Sequence, residues 1–160
     1  MATGPVSSGG PAAAGYDREQ SAGYLVTLAS RLFAGVLRDR LADMNVTPAQ
    51  VPIILWLHDQ DGLTQKDLCE RASIEQPSAA EMLARMERLG HVSRTRDPDD
   101  GRRFRYHLTP SADALKADAT AGNTIALAGV ADADAEVFLA VLRRVIDNLA
   151  ASASERRSAA

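Results

Sequence analysis

The sequence predicts a mainly α-helical protein of about six helices with a single two-stranded β wing. Three observations predict it. The chain of 160 residues is 46% hydrophobic but only 4% aromatic, so much of its apolar content is alanine, which favours helices, whereas sheets draw on aromatics. Apolar residues recur at spacings of three and four along most of its length. The departure is the stretch 91–108, where two short alternating or β-branched flanks enclose Asp97-Pro98-Asp99-Asp100-Gly101, with the Asp-Gly pair of a hairpin turn. A chain of this length supports one cooperative unit with tails.

Residues 1–15 are Gly, Pro, Ser and Ala with little to bury, which predicts a disordered tail. Tyr24, Leu25, Leu28, Leu32, Val36, Leu37 and Leu41 then mark one face of a long first helix that ends near residues 43–45. Thr47-Pro48-Ala49-Gln50 supplies an N-cap, a proline at the first position and a capping-box glutamine for a second helix. That helix buries Val51, Ile54, Leu55 and Leu57; Pro52 is expected to cost it one hydrogen bond, and Asp61-Gly62 stops it. A short third helix opens at Thr64, with Leu68 and Ala72 inward, and gives out by Ser73. Pro77 and Ser78 open a fourth, lined by Ala79, Leu83 and Met86 and capped by Gly90. After the hairpin, Thr109-Pro110 starts a fifth helix weakened by Gly122 and Gly129. Asp132 starts a sixth, with a stripe of Val137, Val141, Leu142, Val145, Ile146 and Leu149, and residues 152–160 read as a flexible tail.

Several function classes have no support in the sequence. The single cysteine, Cys69, permits no intrachain disulfide, and Met1 to Gly15 has neither the cationic start nor the apolar run of a secretory leader. A cytoplasmic protein without a membrane span is expected. His58, His91 and His107 are far apart and none pairs with a second ligand at metal-site spacing, so neither a metal nor a cofactor is expected. No phosphate loop or nucleophile arrangement suggests an enzyme.

What remains is a constellation. Two short helices joined by a tight turn and followed by a basic hairpin make a winged helix-turn-helix, in which the second helix fits the major groove of DNA while the first helix and the wing hold the backbone. The formal charge is −3, yet Arg85, Arg88, Arg94, Arg96, Arg102, Arg103 and Arg105 cluster against only Glu87, Asp97, Asp99 and Asp100. Arginine suits phosphate forks and narrow minor grooves. On the recognition helix the candidates are Gln76, Pro77, Ser78, Glu81, Arg85 and Arg88: Gln76 has the groups to read adenine, Glu81 to accept from cytosine, Ser78 to reach a base or a phosphate. Thr64, Gln65 and Lys66 begin the helix before it.

These residues resemble the MarR family of bacterial regulators from Val46 to about Leu115, through Leu63-Thr64-Gln65-Lys66-Asp67-Leu68, Glu75-Gln76-Pro77-Ser78, the helix end from Arg85 to Gly90, and the wing Asp97-Pro98-Asp99-Asp100-Gly101-Arg102-Arg103 returning to Leu108-Thr109. The wing is the specific part. The resemblance implies a triangular homodimer in which the first and last two helices interlock, with Arg102 entering the minor groove and Asp100 orienting it. Apolar stripes on these helices exceed what one domain of this size can bury, which points the same way. The expected division is a dimerisation region, 16–45 and 110–151, around a DNA-binding domain, 46–109. Glu81 departs from the basic or polar reader that such proteins often carry, and Ala80 and Ala84 offer only apolar contact, so groove shape and the wing are expected to carry much of the specificity.

The resemblance further implies a ligand-responsive regulator, more often a repressor, that binds a pseudo-palindromic operator in double-stranded DNA and is nucleoid-associated when bound. Tyr24, Trp56 and His58 are candidates to line a pocket for a small aromatic effector; Trp56 as ordinary core is the simpler reading. Cys69 lies outside the first-helix region where some relatives carry an oxidant-sensing cysteine. The competing reading is a winged-helix protein-interaction module without DNA binding.

Overall fold

A computed structural model of the protein describes residues 17–113 and 115–158. The expected N-terminal tail, 1–15, lies outside them. Ser21 caps α1 (Ala22–Leu41), its hydroxyl accepting from Tyr24 N, and the chain leaves through a 3-10 turn to Asn45 in the left-handed region. Thr47 N donates to Gln50 Oε1 at 2.9 Å, closing the expected capping arrangement ahead of α2 (Val51–Asp59). Pro52 falls in the first turn of α2, directly after the 3-10 turn Pro48–Gln50.

Next come β1 (Leu63–Thr64), α3 (Gln65–Ala72), α4 (Gln76–Arg88), β2 (Val92–Arg96), β3 (Phe104–Leu108), α5 (Pro110–Asp113), α6 (Leu115–Ala126) and α7 (Asp132–Ser158). The sheet has three antiparallel strands in the order β1-β3-β2, not two. Leu63 stands opposite Tyr106 and Thr64 opposite Arg105, which ties the wing to the start of α3. A two-residue strand leaves no periodicity to read.

One core joins the elements: Leu41 of α1, Ile53, Ile54 and Leu57 of α2, Leu68 of α3, Leu83 and Met86 of α4, Val92 and Tyr106 of the hairpin, and Leu115 and Ala119 of α6. In α3 it is Cys69, not Ala72, that joins Leu68 inside, while Ala72 is half-buried. Gly90, with φ of 76°, ends α4 in the left-handed region, which glycine adopts without the clash that a Cβ brings. Gly122 has a different task from the weakening expected of it: a Cβ there would lie 3.2 Å from Phe33 Cδ1, so its lack of a side chain lets α6 close onto α1.

α7 continues to Ser158, so the tail expected from residue 152 is helical over most of its length. None of its described side chains is buried, and Val137, Phe138, Val141, Ile146 and Leu149 are exposed, as are Tyr24, Leu25 and Leu32 on α1. Among the described residues no helix is long and apolar enough to cross a membrane.

Candidate nucleic-acid interface

α4 separates its faces cleanly. Ala79, Leu83 and Met86 are fully buried, whereas Gln76, Pro77, Ser78, Ala80, Glu81, Ala84, Arg85 and Arg88 are exposed. Arg85, Arg88 and Glu81 make no ion pair or side-chain hydrogen bond among the described residues, so their charges are available to an external partner. At the entrance to α3, Thr64 and Asp67 form a reciprocal cap, with Thr64 N donating to Asp67 Oδ2 at 2.9 Å and Asp67 N to Thr64 Oγ1 at 3.2 Å. Gln65 is half-buried, and Lys66 is exposed in a loose pair with Glu70.

The wing leaves the core after its first pair. Val92 is buried, but Ser93, Arg94, Thr95 and Arg96 are all exposed, and on β3 only Tyr106 is buried. Its tip is not the tight Asp-Gly turn that the sequence suggests, since neither Asp100 nor Gly101 has a positive φ. Carboxylates hold a longer loop instead. Asp97 is buried, accepts from Asp99 N at 2.9 Å and pairs with Arg105 Nη2 at 3.0 Å, while its own N–H donates to Arg103 O. Asp100 takes Arg102 N and Nε on Oδ1, at 3.1 and 3.3 Å, and Arg103 Nε on Oδ2 at 3.0 Å. One carboxylate thus splays two guanidinium groups.

The seven arginines therefore divide by partner. The Arg102 side chain is 93% exposed and, with Nε held by Asp100, carries its terminal nitrogens outward. Arg103 is also exposed. Arg94 pairs with Glu87 at 3.1 Å and lies 4.5 Å over Phe104, and Arg96 covers the same ring at 5.3 Å while donating to Gly101 O. Arg105 turns inward, donating to Gly62 O at 3.2 Å as well as pairing with Asp97, so it braces the wing against the α2–β1 turn. The sequence does not single out Asp97, Glu87 or Phe104 for these parts; the alternation that turns Phe104 to the side of Arg94 and Arg96 was the one available signal. A groove of about 290 Å³ lined by Thr64, Gln65, Lys66, Arg102, Arg103, Phe104 and Tyr106 joins the wing to the entrance of α3.

Thr64 holds the Asp67 carboxyl below the usual carboxylate range, first through its hydroxyl and then through its N–H, with the Arg71 charge adding to them. The N–H of Asp99, with the Arg105 charge and hydrogen bond, does the same for Asp97. A lowered folded value means that the stabilisation is fully present above the unfolded carboxylate value and lost as pH falls through the folded one. The melting temperature is therefore expected to fall as pH drops below about 4. Asp97→Asn should melt lower at pH 7 and show a shallower acid decline; an unchanged decline in both Asp97→Asn and Asp67→Asn would contradict the assignment.

The candidate effector residues have different surroundings. Tyr24 lines a surface depression with Asp17, Arg18, Glu19, Leu25 and Leu28. Trp56 packs on the core beneath the Arg71 guanidinium, 5.3 Å from its ring centre, and Lys116 Nζ lies 3.1 Å from His58 Nδ1. Cys69 is buried, and burial, followed by the charges of Glu75 and Glu70, pushes its thiol up, away from the reactive thiolate. Among the described residues no group of three or more His, Cys, Asp or Glu side chains is placed to hold a metal.

Residues 44–103 match the sequence model of the MarR family. The HTH-type transcriptional regulator TtmR of Methylorubrum extorquens is 29% identical over 132 residues, 82% of this chain, which spans only 65% of that regulator's length. The transcriptional regulator HosA of Escherichia coli is 31% identical over 107 residues, covering 64% of this chain and 79% of HosA. Among solved structures, the PcaV transcriptional regulator of Streptomyces coelicolor, in complex with its natural ligand, superposes with a TM-score of 0.73 at 27% identity, over 84% of this chain and 97% of PcaV.

Proposed function

The chain belongs to the MarR family, and from that premise we propose that it is a dimeric transcriptional regulator that binds a pseudo-palindromic operator and responds to a small ligand. The observation that carries the DNA-binding part is Arg102: almost wholly exposed on the wing, held at Nε by Asp100, and lining the groove that leads to the entrance of α3. In this reading α4 lies in the major groove, Arg102 enters the adjacent minor groove, and Arg85, Arg88 and Arg103 contact phosphates. Arg94 and Arg96 serve mainly to stiffen the wing, because Glu87 and Phe104 already engage them. Arg105 is internal bracing. The exposed apolar faces of α1 and α7 favour a second copy as their cover, which would set half-sites one helical turn apart, roughly 34–36 Å. Repression is the mode proposed, with binding to DNA in the cytoplasm. The ligand-responsive part draws on PcaV, whose structure contains its natural ligand.

Titrating the protein against duplex DNA at several salt concentrations tests the reading. Several phosphate contacts should weaken binding at least tenfold between about 50 and 200 mM salt. Arg102→Ala should cost about 1–3 kcal/mol of operator affinity. Binding insensitive to both would contradict the reading, and a protein that does not bind duplex DNA would support a protein-interaction module instead.

A further inference from the structure

Gln65, the first residue of α3, reaches across to Gln76, the first residue of α4. Its Nε2 donates to Gln76 O at 3.2 Å and to Gln76 Oε1 at 3.0 Å. Because a backbone carbonyl can only accept, the atom that Gln65 presents must be its amide nitrogen, and the Gln76 atom that receives the second bond must be its oxygen. Both hydrogens of the Gln65 amide are then used, and the Gln76 amide cannot turn over without setting two NH2 groups against each other.

We propose that Gln65 is a positioning residue that fixes the Gln76 amide as an adenine reader, so that this pair supplies a base-specific contact in each half-site. The proposal rests on the DNA-binding reading above. Held in this way, Gln76 keeps one lone pair on Oε1 and both hydrogens on Nε2, side by side and in a fixed order, on an exposed side chain. Adenine offers the complement in the major groove, N7 accepting and N6 donating. Guanine offers O6 in place of N6, which would set oxygen against Oε1. A free glutamine side chain can turn its oxygen away from the base edge and offer guanine a single donor bond from Nε2, and it loses rotamer entropy on binding; a locked one does neither. The lock also lies at the edge of the groove that Arg102 and Arg103 line, so the register set by the wing and the base contact set by α4 meet at Gln65.

In vitro selection from a randomised duplex library, with the full chain and with Gln65→Ala, Gln76→Ala and the double variant, tests this. The wild type should return a two-fold motif with an adenine in each half-site whose replacement by guanine weakens binding about tenfold. Each single variant should lose preference at that position while holding it elsewhere, and the double variant should be no worse than either, as residues acting through one contact require. Melting temperatures within error of wild type separate this from general loosening of the helix pair. Gln65→Glu keeps the length but can only accept, so it should favour the opposite amide orientation and also abolish the adenine preference. An enriched motif that Gln76→Ala leaves unchanged would overturn the proposal, and so would a motif changed by Gln76→Ala but not by Gln65→Ala. Failure of the wild type to enrich any motif would instead remove the DNA-binding reading and the proposal with it.

Discussion

Leu83→Ala is expected to destabilise the folded protein by about 2–5 kcal/mol, measured as a shift of the urea midpoint at unchanged slope. Leu83 has no solvent exposure and packs from the inner face of α4 into the cluster that holds α2, α3 and the hairpin. Truncation removes the transfer energy of the lost carbons and leaves a cavity in a core shared by different elements, which cannot all close in. Domains of this size have only about 5–15 kcal/mol of stability to lose, so DNA binding should fail through unfolding at temperatures the wild type tolerates. Ala84→Ser, one position away on the exposed face, should change stability by less than about 0.5 kcal/mol. Equal effects at the two positions would contradict the orientation of α4 on which the interface depends.

The proposed dimer predicts a second large effect. Ile146→Asp combined with Leu149→Asp should convert the protein from dimer to monomer in sedimentation velocity and weaken operator binding by about a hundredfold or more, since a single half-site loses the gain from linked binding. α7 is 27 residues long with no described side chain buried, and Ile146 and Leu149 are 54% and 63% exposed. A helix in this setting derives most of its stability from packing an apolar face, and the single chain does not cover that face. Each such side chain covered by a partner contributes about 1.5–3 kcal/mol before the costs of association, whereas an aspartate there would be buried without a counter-ion. A wild-type monomer at micromolar concentration would refute the dimer.

The order of helices was legible because each carries its own local signal. Thr47 and Thr64 cap as their positions suggest, Gly90 ends α4, and Ala79, Leu83 and Met86 fall inward at helical spacing. The wing was legible as a hairpin, from short flanks around an Asp- and Gly-rich centre. Its inner structure was not. Asp97 resembles a turn residue until the chain folds and Arg105 arrives from the opposite strand; Gly122 resembles a weak point until Phe33 stands against it. The seven arginines formed one group by composition, and only their partners separate Arg102, held outward, from Arg105, held inward.

The sequence by itself determined the order of the helices and the wing, the face that α4 buries and the concentration of arginine on one segment, because caps, periodicity and charge act over a few neighbouring residues. Tertiary structure decided which charges remain available. Glu87, Asp97 and Gln65 each act on a residue of another element, and the strength of such contacts depends on distances set only when the core closes. The third strand follows the same rule, since Leu63 and Thr64 become a strand only once β3 lies beside them.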